Sequence, residues 1–183
     1  MSVVDDALEF NRQFVEGRRF EQFAATKVPA KGVAILSCMD TRLTELLPAA
    51  LGFRNGHVQI IKDAGALISH PFGAVMRSVL VSVYKFDVKE IMVIGHHDCG
   101  MQGLDADEVL GLMLARGIDQ RTIDTIDFGL ADVHGWLEGF RDARVSVEES
   151  VRLIAAHPLM PSDVHVSGYL MDPVTGRLDV VIP

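Results

Sequence analysis

The sequence predicts an α/β fold: a single domain with a central parallel β-sheet, an antiparallel edge strand, flanking helices and an N-terminal helical arm. Three observations carry this prediction. Short apolar runs at 33–37, 58–62 and 90–95 each stop at a polar or glycine-containing segment. Stretches with helical spacing separate them, so β-α-β-α-β recurs, which requires parallel strands joined by crossovers. A last alternating run, Val164, Val166, Gly168 and Leu170, meets a turn at 172–176 and a further run at 178–182, the pattern of a hairpin that adds an antiparallel strand. At 183 residues the chain has material for one sizeable core and one domain.

In chain order, residues 1–27 form a helical arm, with Val3, Ala7, Phe10 and Phe14 and then Phe20 and Phe23 at helical spacing, interrupted at Gly17. So many phenylalanines on a short arm need a partner surface, either the chain's own domain or a second subunit, and they favour an extended interface. Residues 31–101 form the core that carries the candidate metal site. Lys31-Gly32 opens the first strand; 43–51 reads as a short helix with Pro48 tolerated near its end and Gly52 as its stop; Asn55-Gly56 is a turn before the second strand. His70-Pro71 is expected to begin a helix to about Phe86, with Val75, Val79, Leu80 and Val83 on its buried face, ahead of the third strand. Residues 103–157 are helical and broken by Gly111, Gly117, Gly129, Gly135 and Gly139, with Ser146 and Glu149 forming a capping box for a last helix to about Ala156. Residues 164–183 are the C-terminal hairpin.

An excess of 25 acidic over 17 basic side chains, with no basic cluster, excludes a phosphate-binding surface for nucleic acid. No uncharged apolar run approaches the ~18 residues that a membrane span needs, and the first residues lack the basic and apolar regions of a signal peptide, so a cytoplasmic location is expected. The cysteines, Cys38 and Cys99, lie far apart in polar loop chemistry and do not form a disulfide framework; such residues in a reducing compartment bind metal or act in catalysis.

The chemistry concentrates where two strands end. Val93-Ile94-Gly95-His96-His97-Asp98-Cys99 carries imidazoles, a carboxylate and a thiol directly after an apolar run, and Cys38 leaves the run Val33-Ala34-Ile35-Leu36-Ser37 in the same way. Loops at the carboxyl ends of neighbouring parallel strands converge, and open α/β sheets place their sites there. Two thiolates and one imidazole, from Cys38, His96 and Cys99, are the ligand count of a catalytic zinc site that keeps its fourth position open. Asp40 is the candidate fourth ligand; a guanidinium fork from Arg42 would instead hold its carboxylate away from the ion and leave it as an acceptor. His97, beside His96, is read as a neighbour or proton relay, Asp98 as a helix cap, and His57, His70, His134, His157 and His165 as surface or turn residues. Asp63-Ala64-Gly65 follows the second strand, and Ala64 and Gly65 are candidates for the pocket lining because glycine admits close backbone approach. A phosphatase thiolate is excluded by the early position of Arg42, and a redox pair by the lack of a Cys-x-x-Cys.

These residues resemble the β-class carbonic anhydrases, whose signature pairs Cys-x-Asp-x-Arg with a later His-x-x-Cys, here Cys38-Met39-Asp40-Thr41-Arg42 and His96-His97-Asp98-Cys99. The likeness runs from about Lys31 to Met101, includes Ile61-Lys62-Asp63-Ala64-Gly65, and looks closest to the short, archaeal-like subgroup. It implies Zn2+ on Cys38, His96 and Cys99, an orienting dyad of Asp40 and Arg42, and reversible hydration of CO2 to bicarbonate and a proton by a zinc-bound hydroxide. It also implies a homodimer or larger homo-oligomer embraced by the N-terminal helix. Many members carry Asn at the place of Asp63, and the bicarbonate-inhibited type tends to carry Trp at the place of Leu36, so the open form with Asp40 on Arg42 is the expected resting state. Hydrolysis of carbonyl sulfide or carbon disulfide on the same scaffold is the alternative, and a non-catalytic zinc-binding regulatory protein a further one.

Overall fold

The computed structural model describes residues 2–129 and 132–183; Met1, and Leu130 and Ala131 within the stretch predicted to be helical, lie outside them. The elements are α1 (Val3–Glu16), a 3-10 turn (Arg19–Phe23), β1 (Val33–Cys38), α2 (Leu43–Ala50), β2 (Gln59–Asp63), α3 (Ala74–Phe86), β3 (Glu90–His96), α4 (Ala106–Ala115), α5 (Gln120–Gly129), α6 (Val133–Leu137), α7 (Ala143–Ala155), β4 (His165–Met171) and β5 (Leu178–Ile182). The sheet order is β2-β1-β3-β4-β5, with β5 alone antiparallel to its neighbour. Every residue of β1 is buried, as an interior parallel strand covered on both faces must be, while the edge strand β2 alternates half-buried and exposed. β1 and β3 run in register from Val33 opposite Glu90 to Ser37 opposite Ile94, so Cys38 and His96 leave the sheet at adjacent heights.

Leu43 and Leu47 of α2, Met76, Val79 and Val83 of α3, and Val147, Val151 and Ile154 of α7 cover the strands. Each fully buried Leu or Ile side chain stabilises the fold by roughly 1.5–3 kcal/mol. Helix α7 approaches the sheet through Val147, whose methyl groups would lie 2.7 Å from a Cβ added at Gly95 of β3 or at Gly168 of β4. Two glycines within strands therefore mark the groove that seats one valine.

Several boundaries differ from the sequence expectation. Helix α3 starts at Ala74 rather than at His70, because residues 70–73 close a turn of their own, with Gly73 N–H on the His70 carbonyl at 3.0 Å and Phe72 N–H on His70 Nδ1 at 3.0 Å. Its buried face includes Met76 and Ser82, with Val75 and Leu80 only half-buried. Helix α7 starts at Ala143, capped by Asp142 Oδ1 on Val145 N–H at 3.0 Å; Ser146 is a buried residue of its first turn and caps nothing. Gly111 and Gly135 lie inside α4 and α6.

The N-terminal arm consists of α1 and the 3-10 turn, separated at Gly17 and Arg18. Neither α1 nor the 3-10 turn buries a residue, and Val3, Leu8, Phe10, Phe20 and Phe23 are exposed. A capping box at Ser2, closed by Asp5, fixes the helix start. The arm touches the domain near its end, where Asn55 Nδ2 donates to the Phe23 carbonyl. Among the described residues no helix is long and apolar enough to cross a membrane.

Candidate metal centre

Cys38 ends β1, His96 ends β3, and Cys99 sits in the loop that follows, so two adjacent strand ends and one turn supply three donors. Their ligand atoms all lie within 4.8 Å of one another, and the residues are 4%, 1% and 6% exposed. The two sulfurs are 3.8 Å apart. His96 Nδ1 pairs with the His97 carbonyl at 2.9 Å, which fixes it as the protonated nitrogen and leaves the Nε2 lone pair facing the sulfurs. That Nε2 is buried with no hydrogen-bond partner. An orphaned imidazole nitrogen beside two thiols is the donor set zinc takes with three protein ligands, so these residues fit the metal. Without it, the thiols share charge between them: the Cys99 thiol donates to Cys38 and, against burial, holds Cys38 far below the ordinary thiol range, while Cys99 rises. The Gly65 N–H, 3.4 Å from Cys38 Sγ, adds a backbone donor from a residue at φ +93°. Burial pushes His96 down, but Cys38 and the His97 carbonyl outweigh it and the imidazole titrates above its usual value.

Asp40 lies beside this group, with Oδ2 3.8 Å from His96 Nε2. Arg42 takes both of its oxygens, Nε on Oδ1 at 3.0 Å and Nη2 on Oδ2 at 2.8 Å, and the Arg42 N–H adds a third bond to Oδ1 at 2.9 Å. The guanidinium holds the Asp40 carboxyl at a pKa of about 2, so it stays ionised throughout the neutral range. Residues expected from sequence at the site, Cys38, Asp40, Arg42, His96 and Cys99, are thus brought together.

The other candidates divide. Ala64 and Gly65 follow β2 next to Cys38, and Gly65 packs against Phe140 and Met101, neighbours that no sequence pattern singled out. His97 is exposed, 3.9 Å from Asp179 of β5. His157 is buried instead of lying at the surface, its Nε2 on the Pro71 carbonyl at 2.9 Å and its Nδ1 accepting the Leu159 N–H at 3.2 Å. Asp98 is not a helix cap: Asp105 caps α4, and Asp98 bonds to Arg42.

Asp63, opposite Cys38 in the β1–β2 register, keeps Oδ1 buried and unpaired. Burial, opposed by the Leu67 and Ala66 amides, raises its carboxyl to about 7. A carboxyl raised in the fold favours folding below its unfolded pKa near 3.8 and loses that contribution as pH climbs through 7. Asp63→Asn is therefore expected to stabilise the protein at pH 8, by about 1–2 kcal/mol after solvent screening, with the gain shrinking by pH 5. Thermal unfolding of both proteins at the two pH values checks this; an equal difference at both would sink it.

Comparison with known proteins decides the family. The model of the carbonic anhydrase family matches residues 33–178, which hold the whole cluster. The chain belongs to the β-carbonic anhydrase family. Within it, YtiB of Bacillus subtilis (strain 168), named as a candidate carbonic anhydrase, is 50% identical over 182 residues, covering 100% of this chain and 97% of the relative. The crystal structure of β-carbonic anhydrase isoform I from the protozoan Trichomonas vaginalis superposes with a TM-score of 0.91 at 32% identity, covering 100% of this chain and 98% of that one. A carbon disulfide hydrolase of Saccharolobus solfataricus is 32% identical over 156 residues, covering 79% of this chain and 74% of the relative.

Proposed function

We propose that this β-carbonic anhydrase catalyses the reversible hydration of CO2 to bicarbonate and a proton, with Zn2+ held by Cys38, His96 and Cys99. One observation carries the reading: an unpartnered, buried His96 Nε2 and two thiols stand beside a carboxylate whose two oxygens are both held by Arg42. Zinc bound there supplies a nucleophile at near-neutral pH by lowering the pKa of water towards ~7. The chain's own residues do the rest. Asp40, ionised, only accepts; by taking the proton of the nucleophile in a hydrogen bond it turns the oxygen lone pair towards the carbon. Arg42 keeps Asp40 from swinging onto the metal. Gly65 brings the backbone against Cys38 and, with Ala64, lines the pocket.

Hydrolysis of carbonyl sulfide or carbon disulfide is the second reading, favoured by the identity to relatives named carbon disulfide hydrolase. The substrates share the linear geometry of CO2, so ligands and dyad serve both equally. Stopped-flow CO2 hydration on zinc-quantified protein, beside carbon disulfide and carbonyl sulfide assays, separates them. Rapid CO2 turnover supports the first reading; zinc-loaded protein inert to CO2 but active on a sulfur substrate moves it to the second.

Two thiolates neutralise the ion and Asp40 adds a negative neighbour, so the group that titrates does so above the value of an all-histidine site. CO2 turnover should rise from pH 6 to pH 9, and a flat profile would refute this. The bare apolar side of the arm supports a homodimer or larger homo-oligomer, in which α1 lies across a second copy. Ligand thiols that must stay reduced favour a cytoplasmic location.

A further inference from the structure

Arg42 is held from two sides, and holding Asp40 accounts for only one of them. Besides its bonds to Asp40, Nη1 donates to Asp98 Oδ2 at 2.8 Å and Nη2 donates to the Asp98 carbonyl at 2.8 Å. Asp98 reaches the guanidinium with side chain and backbone at once because it adopts φ +53°, a left-handed conformation that Asp, Asn and Gly tolerate and other residues avoid. The two anchors belong to different loops. Asp40 follows β1 and Cys38, whereas Asp98 precedes Cys99 in the loop after β3. A guanidinium gripped by one carboxylate alone can swing with it on a flexible stem, since the fork moves as a unit; a second anchor, on Nη1, which Asp40 leaves free, and on the shared Nη2, removes that freedom.

We propose that Asp98 is a positioning residue of the reaction, fixing the Arg42 guanidinium from the side away from Asp40. It thereby ties the loop of Asp40, which follows Cys38 at the end of β1, to the loop of Cys99, which follows His96 at the end of β3. The inference rests on the reading of Asp40 as the acceptor that orients the nucleophile. Asp98 does not touch the reacting atoms. Its side chain is 86% exposed and that of Arg42 38%, so water screens the pair and its effect is moderate.

Two substitutions keep the left-handed backbone and separate the contributions. Asp98→Gly retains the carbonyl and removes Oδ2; Asp98→Asn retains an oxygen acceptor without the charge. In 15N-arginine-labelled protein, with and without zinc, the Nη protons of Arg42 report rotation about Cζ–Nε, their signals assigned by loss in Arg42→Gln. In D98G this rotation should quicken about fivefold and kcat should fall about three- to fivefold, at unchanged zinc content and KM. In D98N both should stay within about twofold of the unsubstituted protein. Unchanged rotation and kcat in D98G would overturn the proposal, as would loss of zinc in D98G or a D98N as impaired as D98G. If the unsubstituted protein turns over no CO2 while D98G still frees the guanidinium, the functional reading fails and the anchor stands.

Discussion

Cys38→Ser is expected to abolish CO2 turnover, by at least about 10³-fold, and to cut the zinc content from about one per chain to a small fraction of that. The serine hydroxyl stays protonated at neutral pH, so only His96 and Cys99 remain as donors, and two ligands do not retain the metal against dialysis. The fold should survive the change. Cys38 is the last residue of β1, the strand is held by its backbone pairing to β2 and β3, and Ile35 and Leu36 keep their burial. The substitution removes a sulfur and adds no volume. Metal analysis, circular dichroism and stopped-flow hydration on one preparation check the three parts separately. A folded C38S with a full complement of zinc and undiminished turnover would refute the metal assignment.

The ends of the strands were legible because chemistry and hydrophobicity change at the same residue. An apolar run that halts at Cys38, and another that halts at Gly95-His96, place ligands at strand ends without any knowledge of the sheet order; that the two strands are neighbours was a condition of the reading, and the sheet order meets it. Helix starts were less legible, because local signals compete and tertiary burial decides. Ser146 and Glu149 match a capping box, but Asp142 caps four residues earlier and Ser146 is drawn inside, on the same face as Ser150, whose Oγ accepts the Ile68 N–H at 3.3 Å. No window of sequence contains both partners. His157 is the same case: beside Pro158 it reads as a turn residue, and what buries it is the Pro71 carbonyl far away in the chain. Asp98 was visible as a carboxylate next to a ligand cysteine. Its role was hidden because it depends on a left-handed backbone at a residue that is not glycine.

Asp40→Ala is expected to lower kcat by about 10² or more while leaving zinc bound and the fold intact. The argument turns on what Asp40 does at the pH where the enzyme works. With Arg42 on both oxygens its carboxyl titrates at about 2, so between pH 6 and 9 it gains or loses no proton and cannot be the general base. Its contribution is direction: an acceptor fixed beside His96 Nε2 selects one orientation of the nucleophile, and a methyl group selects none. The pH profile distinguishes direction from titration. If Asp40 only orients, D40A loses rate at every pH yet keeps a sigmoidal rise, with the midpoint displaced to lower pH because a negative neighbour has been removed from the titrating group. If Asp40 were the titrating group, the rise itself would vanish in D40A, and the assignment of its carboxylate as a fixed acceptor would fall with it.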